Sequence, residues 1–185
     1  GEGALLAASG NGHLSVVELL LLNGAATNLA RNDGWTPLMA AVQNGHEDVV
    51  KLLLKSGVQV NQQRPNGNTA LFSACQHERI GIARALIEAG ASIDIQLTSG
   101  NSALVEAAMG GSIGIVELLV GNQASVNLAN RFGGTALMAA SQNGHTDVVH
   151  VLLRNGARID QRGPNEITAL RYACEYGHPE TAQVL

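Results

Sequence analysis

The chain has 185 residues, 45% of them apolar and 14% charged, which is a globular rather than a disordered composition. Its net charge is −4, with 11 basic and 15 acidic residues and no Lys/Arg block, so a phosphate-binding stripe for nucleic acid is not expected. The longest Leu/Val run, 16–22, contains Glu18 and is too short to cross a bilayer, and no basic leader with a cleavage-like segment precedes it.

One frame returns every 33 positions without insertion or deletion, starting at Gly3, Thr36, Thr69, Ser102, Thr135 and Thr168. A fixed period of this length marks a stacked repeat, in which no unit buries its own apolar face. With one Trp, two Tyr and two Phe, the core must be built from Leu, Val, Ile and Ala. The repeats are approximately 1–32, 33–65, 66–98, 99–131, 132–164 and 165–185, the first and last incomplete, in a single domain over 1–185.

Repeat one starts at or before Gly1, with a helix over Ala4 to Gly10, a turn at Asn11-Gly12-His13 and a second helix from about Ser15 to Leu22. Asn23-Gly24 ends that helix, since glycine enters the left-handed region without a Cβ clash. In repeat two, Thr36 caps the next helix and Pro37 occupies its first position, where a missing donor is harmless. Val49, Val50, Leu52, Leu53 and Leu54 then form the second helix, closed at Ser56-Gly57. Such short helices are marginal alone and require stacking.

Repeat three carries Glu78 where the other repeats have glycine, so this turn is strained or rearranged. In repeat four, Gly121-Asn122-Gln123 replaces the usual glycine ending, and the helix stops early or uses Asn122. Repeat five runs through Gly144 and closes at Gly156, and repeat six stops at Leu185 inside an apolar stretch, so the chain reads as part of a longer one with attached domains. Thr36 to Pro65 matches Thr135 to Pro164 more closely than adjacent repeats match each other, which points to duplication of a three-repeat block. Cys75 and Cys174 share one register three repeats apart, too far for a disulfide, and read as small buried fillers in a reducing compartment.

The segments Gly34-Trp35-Thr36-Pro37-Leu38-Met39-Ala40-Ala41, Gly45-His46, Leu52-Leu53 and Gly90-Ala91-Ser92-Ile93-Asp94 resemble the ankyrin repeat family over nearly the whole chain. The resemblance implies an all-α solenoid of stacked antiparallel helix pairs with outward β-turn fingers. The family histidine after Pro-Leu is replaced by Met39, Phe72, Val105, Met138 and Arg171. His13, His46, His145 and His178 match the family's turn histidine, expected to bond backbone groups rather than share a metal.

By the same resemblance, partners bind at finger tips and on the exposed side of the first helices. The matching finger positions include Asp33, Trp35, Asn68, Asn101, Arg131 and Phe132, and the matching helix positions are Met39, Gln43, Gln76, His77, Glu106, Met109, Gln142, Arg171, Glu175 and Tyr176. Trp35 and Phe132 carry the most weight, because large aromatics at turns concentrate binding energy when desolvated; packing against a neighbouring finger is the competing role. Some family members are hydroxylated on asparagine after the second helix, and Asn61 and Asn127 match that position.

No HExxH, CxxC, GxSxG or phosphate loop is present, and the repeating polar residues are explained by caps and turns. The sequence therefore points to a non-catalytic protein- or peptide-binding module of a larger intracellular, cytoplasmic or nuclear, scaffold or adaptor, with no metal and no cofactor. A structural spacer between attached domains is the alternative, and small-ligand sensing a third.

Overall fold

The computed structural model describes residues 2–185, so the expected start of the first repeat at or before Gly1 lies outside the described residues. Two compact units emerge, Gly1–Ser92 and Ile93–Leu185, and each is built in the same way.

The first unit holds α1 (Glu2–Gly10), α2 (Leu14–Leu22), α3 (Pro37–Asn44), α4 (Glu47–Lys55), α5 (Ala70–Gln76) and α6 (Ile80–Glu88). Within each repeat the first helix pairs with the second, α3 packs between α1 and α5, and α4 packs between α2 and α6. The second unit holds α7 (Ala103–Gly110), α8 (Ile113–Gly121), α9 (Ala136–Gln142), α10 (Thr146–Arg154), a short 3-10 turn (Pro164–Glu166), α11 (Ala169–Glu175) and α12 (Pro179–Val184). There α9 lies between α7 and α11, and α10 between α8 and α12. Each unit is thus two layers of helices, an all-α repeat fold.

The first helices α3, α5, α7, α9 and α11 start on a side-chain cap. Thr36 Oγ1 accepts from the Met39 N–H at 3.1 Å, Thr69 from Phe72 at 3.1 Å, Ser102 from Val105 at 3.4 Å, Thr135 from Met138 at 3.3 Å and Thr168 from Arg171 at 3.4 Å. They end on a Schellman turn in which Gly45 sits at φ 77° and the His46 N–H reaches back to the Ala41 carbonyl at 3.0 Å.

The core is aliphatic. Val49, Val50, Leu53, Ile82, Ala83 and Leu86 are at most 2% exposed in the first unit, as are Ile115, Val116, Leu119, Val148, Val149 and Leu152 in the second. In α2 Val17 keeps its core register at 0% exposed, but Val16, at the register of Val49, is 47% exposed. Leu19 and Leu22, outside these registers, are 61% and 86% exposed, the place of Leu22 being taken by Lys55 and Arg154 in later repeats.

Both departures from the frame are resolved in one direction. Glu78 takes the left-handed conformation at φ 54°, so that turn keeps its shape and bears the strain. α8 does not stop early: it runs to Gly121, and the residue that turns left-handed is Gln123, at φ 68°, rather than Asn122. The Ala124 N–H still closes the turn on the Leu119 carbonyl at 3.0 Å, while the Asn122 side chain donates to the Leu118 carbonyl at 2.8 Å. A side chain in this region loses roughly 1–2 kcal/mol to contact between Cβ and the carbonyl. Gln123→Gly is therefore expected to stabilise the protein by about 1 kcal/mol, read as a higher urea midpoint at unchanged slope.

Candidate interaction surface

The fingers are five-residue hairpins closed by backbone bonds. The Arg31 N–H donates to the Trp35 carbonyl at 2.9 Å and the Gly34 N–H to the Arg31 carbonyl at 2.8 Å, a pattern that recurs at 64–68, 97–101 and 130–134. Glycine at φ 81–85° makes the fourth residue possible in these four fingers. In the last finger Asn165 and Glu166 occupy positive φ without glycine, and Glu166 pairs with Arg162 at 2.6 Å.

Neighbouring repeats are joined by two ladders of side chain to backbone. In the first, an imidazole crosses to a carbonyl of the previous repeat: His46 Nε2 to Gly10, His145 Nε2 to Met109 and His178 Nε2 to Gln142, each at 3.0 Å. A carbonyl only accepts, so Nε2 carries the proton in all three rings. These rings lie over Gly12, Gly111 and Gly144, whose missing Cβ leaves them room. Repeat three has no histidine at this register, and the Arg79 guanidinium covers Gly45 instead.

The second ladder follows the second helices. Asn61 accepts from the Ser92 N–H at 2.7 Å and donates to the Gly90 carbonyl at 3.1 Å. Asn127 repeats this with the Arg158 N–H and the Gly156 carbonyl, both at 2.9 Å. Asn28 accepts from Gln59 at 2.6 Å, and Asp94 takes the same role toward Ser125 at 3.0 Å. The two asparagines named as hydroxylation candidates thus have both ends of the carboxamide engaged.

The structure sorts the expected partner-binding residues. Met39 is not on the surface: it is 2% exposed, and the same register is filled by Phe72, Val105 and Met138 at 3–4%. In the second unit this position lies under the base of a finger, the Met138 sulfur filling the space a Cβ on Gly163 would need. An apolar residue suits that place better than the family's histidine.

Gln43, Gln76, His77, Met109, Arg171, Glu175 and Tyr176 are exposed, whereas Glu106 and Gln142 are half-buried. Arg171 lies 4.0 Å from Glu175, and the Tyr172 and Tyr176 rings stand 6.3 Å apart. Asp33 is occupied within its own finger, at 2.6 Å from Arg31 and 3.3 Å from the Trp35 N–H. Asn68 accepts from Ser73 at 3.2 Å and Asn101 from Asn130 at 2.9 Å.

Trp35 and Phe132 differ sharply. The Trp35 ring is half-buried, with the Arg64 guanidinium carbon 4.6 Å from its centroid, so the neighbouring finger already covers one face. It also walls a groove of about 390 Å³ in the first unit with Leu6, Ala7, Arg31, Gln43 and Asn44. Phe132 is 70% exposed and Arg131 beside it is exposed. Arg64 and Asn130, which hold these two fingers, were not singled out from the sequence; both share the register of Arg31, and that register was the available signal.

The cysteines also differ. Cys75 is buried, and burial pushes its thiol up to about 12, whereas Cys174 is exposed and so is not the buried filler expected. Native protein is therefore expected to give one equivalent of fast thiol reaction with a disulfide reagent at neutral pH, and the second only after denaturation.

Among the described residues no group of three or more His, Cys, Asp or Glu side chains could hold a metal, and no helix is long and apolar enough to cross a membrane.

The family model described as ankyrin repeats (3 copies) matches residues 4–97 and 104–185. A solved structure described as EF0377, an ankyrin repeat protein, is similar with a TM-score of 0.93 and 27% identity, covering 100% of this chain and 96% of that one. A chain from the complex of the Bd0816 predatory endopeptidase of Bdellovibrio bacteriovorus with immunity protein Bd3460 is similar with a TM-score of 0.89 and 32% identity, covering 97% and 95%. Comparison with curated proteins found no significant match.

Proposed function

This chain belongs to the ankyrin repeat family, whose members generally act as protein–protein interaction modules, and from that premise we propose that it is a non-catalytic binding module for a protein or peptide. The partner docks on the finger tips and the adjoining first-helix surface, and the module serves a larger scaffold or adaptor with further domains. The observation supporting this reading is that Phe132, in a finger, and Met109 and Tyr176, at the ends of first helices, are 70, 40 and 54% exposed; other large exposed apolar side chains, Leu19 and Leu22 of α2 foremost, lie on second helices. Gln43 adds an exposed carboxamide beside the groove under Trp35. Threonine, glycine, histidine and asparagine at the recurring registers are consumed by caps, turns and ladders, so recognition falls to the residues that vary between repeats.

The similar chain from the endopeptidase–immunity protein complex comes from a protein assembly, which accords with this reading. Affinity capture from native cells with the intact chain beside a Trp35→Ala/Phe132→Ala variant tests it. Specific partners lost with the variant, at unchanged helicity by circular dichroism, are expected. No partner above background favours a spacer, and equal recovery by both proteins keeps the module but moves its docking surface away from Trp35 and Phe132.

A further inference from the structure

The finger at 130–134 is built differently from those before it. At 31–35, 64–68 and 97–101 the third residue is polar and its side chain closes the turn: Asp33 accepts from the Trp35 N–H at 3.3 Å, Asn66 from Asn68 at 3.1 Å and Ser99 from Asn101 at 3.3 Å. At 130–134 this task has moved to the first residue. Asn130 Oδ1 accepts from the Phe132 N–H at 3.0 Å and the Gly134 N–H at 2.8 Å, while its Nδ2 donates to Asn101 Oδ1 at 2.9 Å. The tip is also tied to the preceding finger, the Arg131 N–H donating to the Ser99 carbonyl at 3.4 Å over Gly100.

Relocating the cap releases the third position from any structural duty, and an aromatic fills it. Phe132 is 70% exposed, so it stabilises little by burial, yet the finger carrying it is held by these four bonds in addition to the two that close the hairpin. The adjacent arginine has a matching character. Arg31 and Arg162 are neutralised at 2.6 Å by Asp33 and Glu166, and Arg64 lies over Trp35, whereas Arg131 is exposed with no ion pair among the described residues.

We propose that Arg131 and Phe132 form a preorganised anchor that seats the Phe132 ring in an apolar pocket of a protein partner and pairs Arg131 with a carboxylate at the pocket's rim. This rests on the binding-module reading and specifies the partner's chemistry: an acidic group directly beside an apolar recess. A rigid tip loses little conformational freedom on docking, and phenyl and guanidinium groups gain most from being desolvated together. An unpaired guanidinium selects a carboxylate over a basic surface.

The test uses the whole chain and a displayed library of cyclic peptides, selected on the wild type and titrated against variants. Selected peptides are expected to carry Asp or Glu beside bulky apolar residues, and to bind Phe132→Ala and Arg131→Glu at least about tenfold more weakly. Lys55→Ala, on an exposed second-helix position, is expected to bind as the wild type does. Because the Phe132 side chain is mostly in solvent, its removal should leave thermal unfolding unchanged, so loss of fold cannot mimic loss of binding. Peptides that bind Phe132→Ala undiminished, or that show no acidic bias, overturn the anchor. If those peptides instead lose affinity for Gln142→Ala, the binding module stands and only the anchor falls; if no peptide is enriched, both fall.

Discussion

Gly144→Ala is expected to destabilise the second unit by roughly 2–3 kcal/mol, while Gly177→Ala, at the same place one repeat later, loses only the backbone part of that, about 1–2 kcal/mol. Both glycines are left-handed, at φ 71° and 75°, so both substitutions force Cβ toward a carbonyl. Only Gly144 is roofed. A Cβ there would lie 2.5 Å from His178 Nδ1 and 2.8 Å from two ring carbons, whereas nothing lies within 4 Å at Gly177. Displacing the His178 ring also breaks its bond to the Gln142 carbonyl. Urea denaturation of the two variants measures the difference, and equal destabilisation would show that the histidine ladder contributes nothing.

The larger loss is expected at the second-helix leucine. Leu53 is fully buried, and truncation to alanine removes its transfer energy and leaves a cavity, a loss of about 2–5 kcal/mol. Leu22, on the second helix of the first repeat and 86% exposed, should lose no more than about 0.5 kcal/mol in the same substitution. In a repeat protein the damage stays near the altered unit. Hydrogen exchange of Leu53→Ala should therefore accelerate in α3, α4 and their repeat neighbours in the first unit, and exchange raised uniformly along the chain would contradict that locality.

Much of this architecture was legible because each repeating residue has a local physical task. Thr36, Pro37 and Gly45 mark a helix start, its first residue and its end through rules that need no tertiary context. Caps, apolar runs and turn glycines within each period gave two helices per repeat, and the family resemblance their antiparallel pairing. The turn histidines pointed to bonds with backbone groups, but not to their reach from one repeat to the previous one. Gln123 shows where local reading fell short: asparagine tolerates left-handed φ better, yet stacking fixed the helix length and the strain fell on glutamine. Met39 failed for a related reason. Its register looked like the exposed side of a helix, and only the base of a neighbouring finger turns it into core. Trp35 and Phe132 looked alike in sequence as aromatics in fingers, but Arg64 covers one and nothing covers the other. That distinction depends on side chains 29 or more positions away, as Trp35 to Arg64 and Asn101 to Asn130 show, and no local pattern carries it.

The central claim is that recognition belongs to the fingers and first helices, with the second helices serving as scaffold. Amide hydrogen exchange of the chain, alone and bound to its captured partner, tests this most directly. The expected result is protection gained at fingers such as 31–35 and 130–134 and along adjoining first helices, with α4 and α10 unchanged. Protection confined to the second helices, with the fingers exchanging as fast as in the free protein, would contradict it.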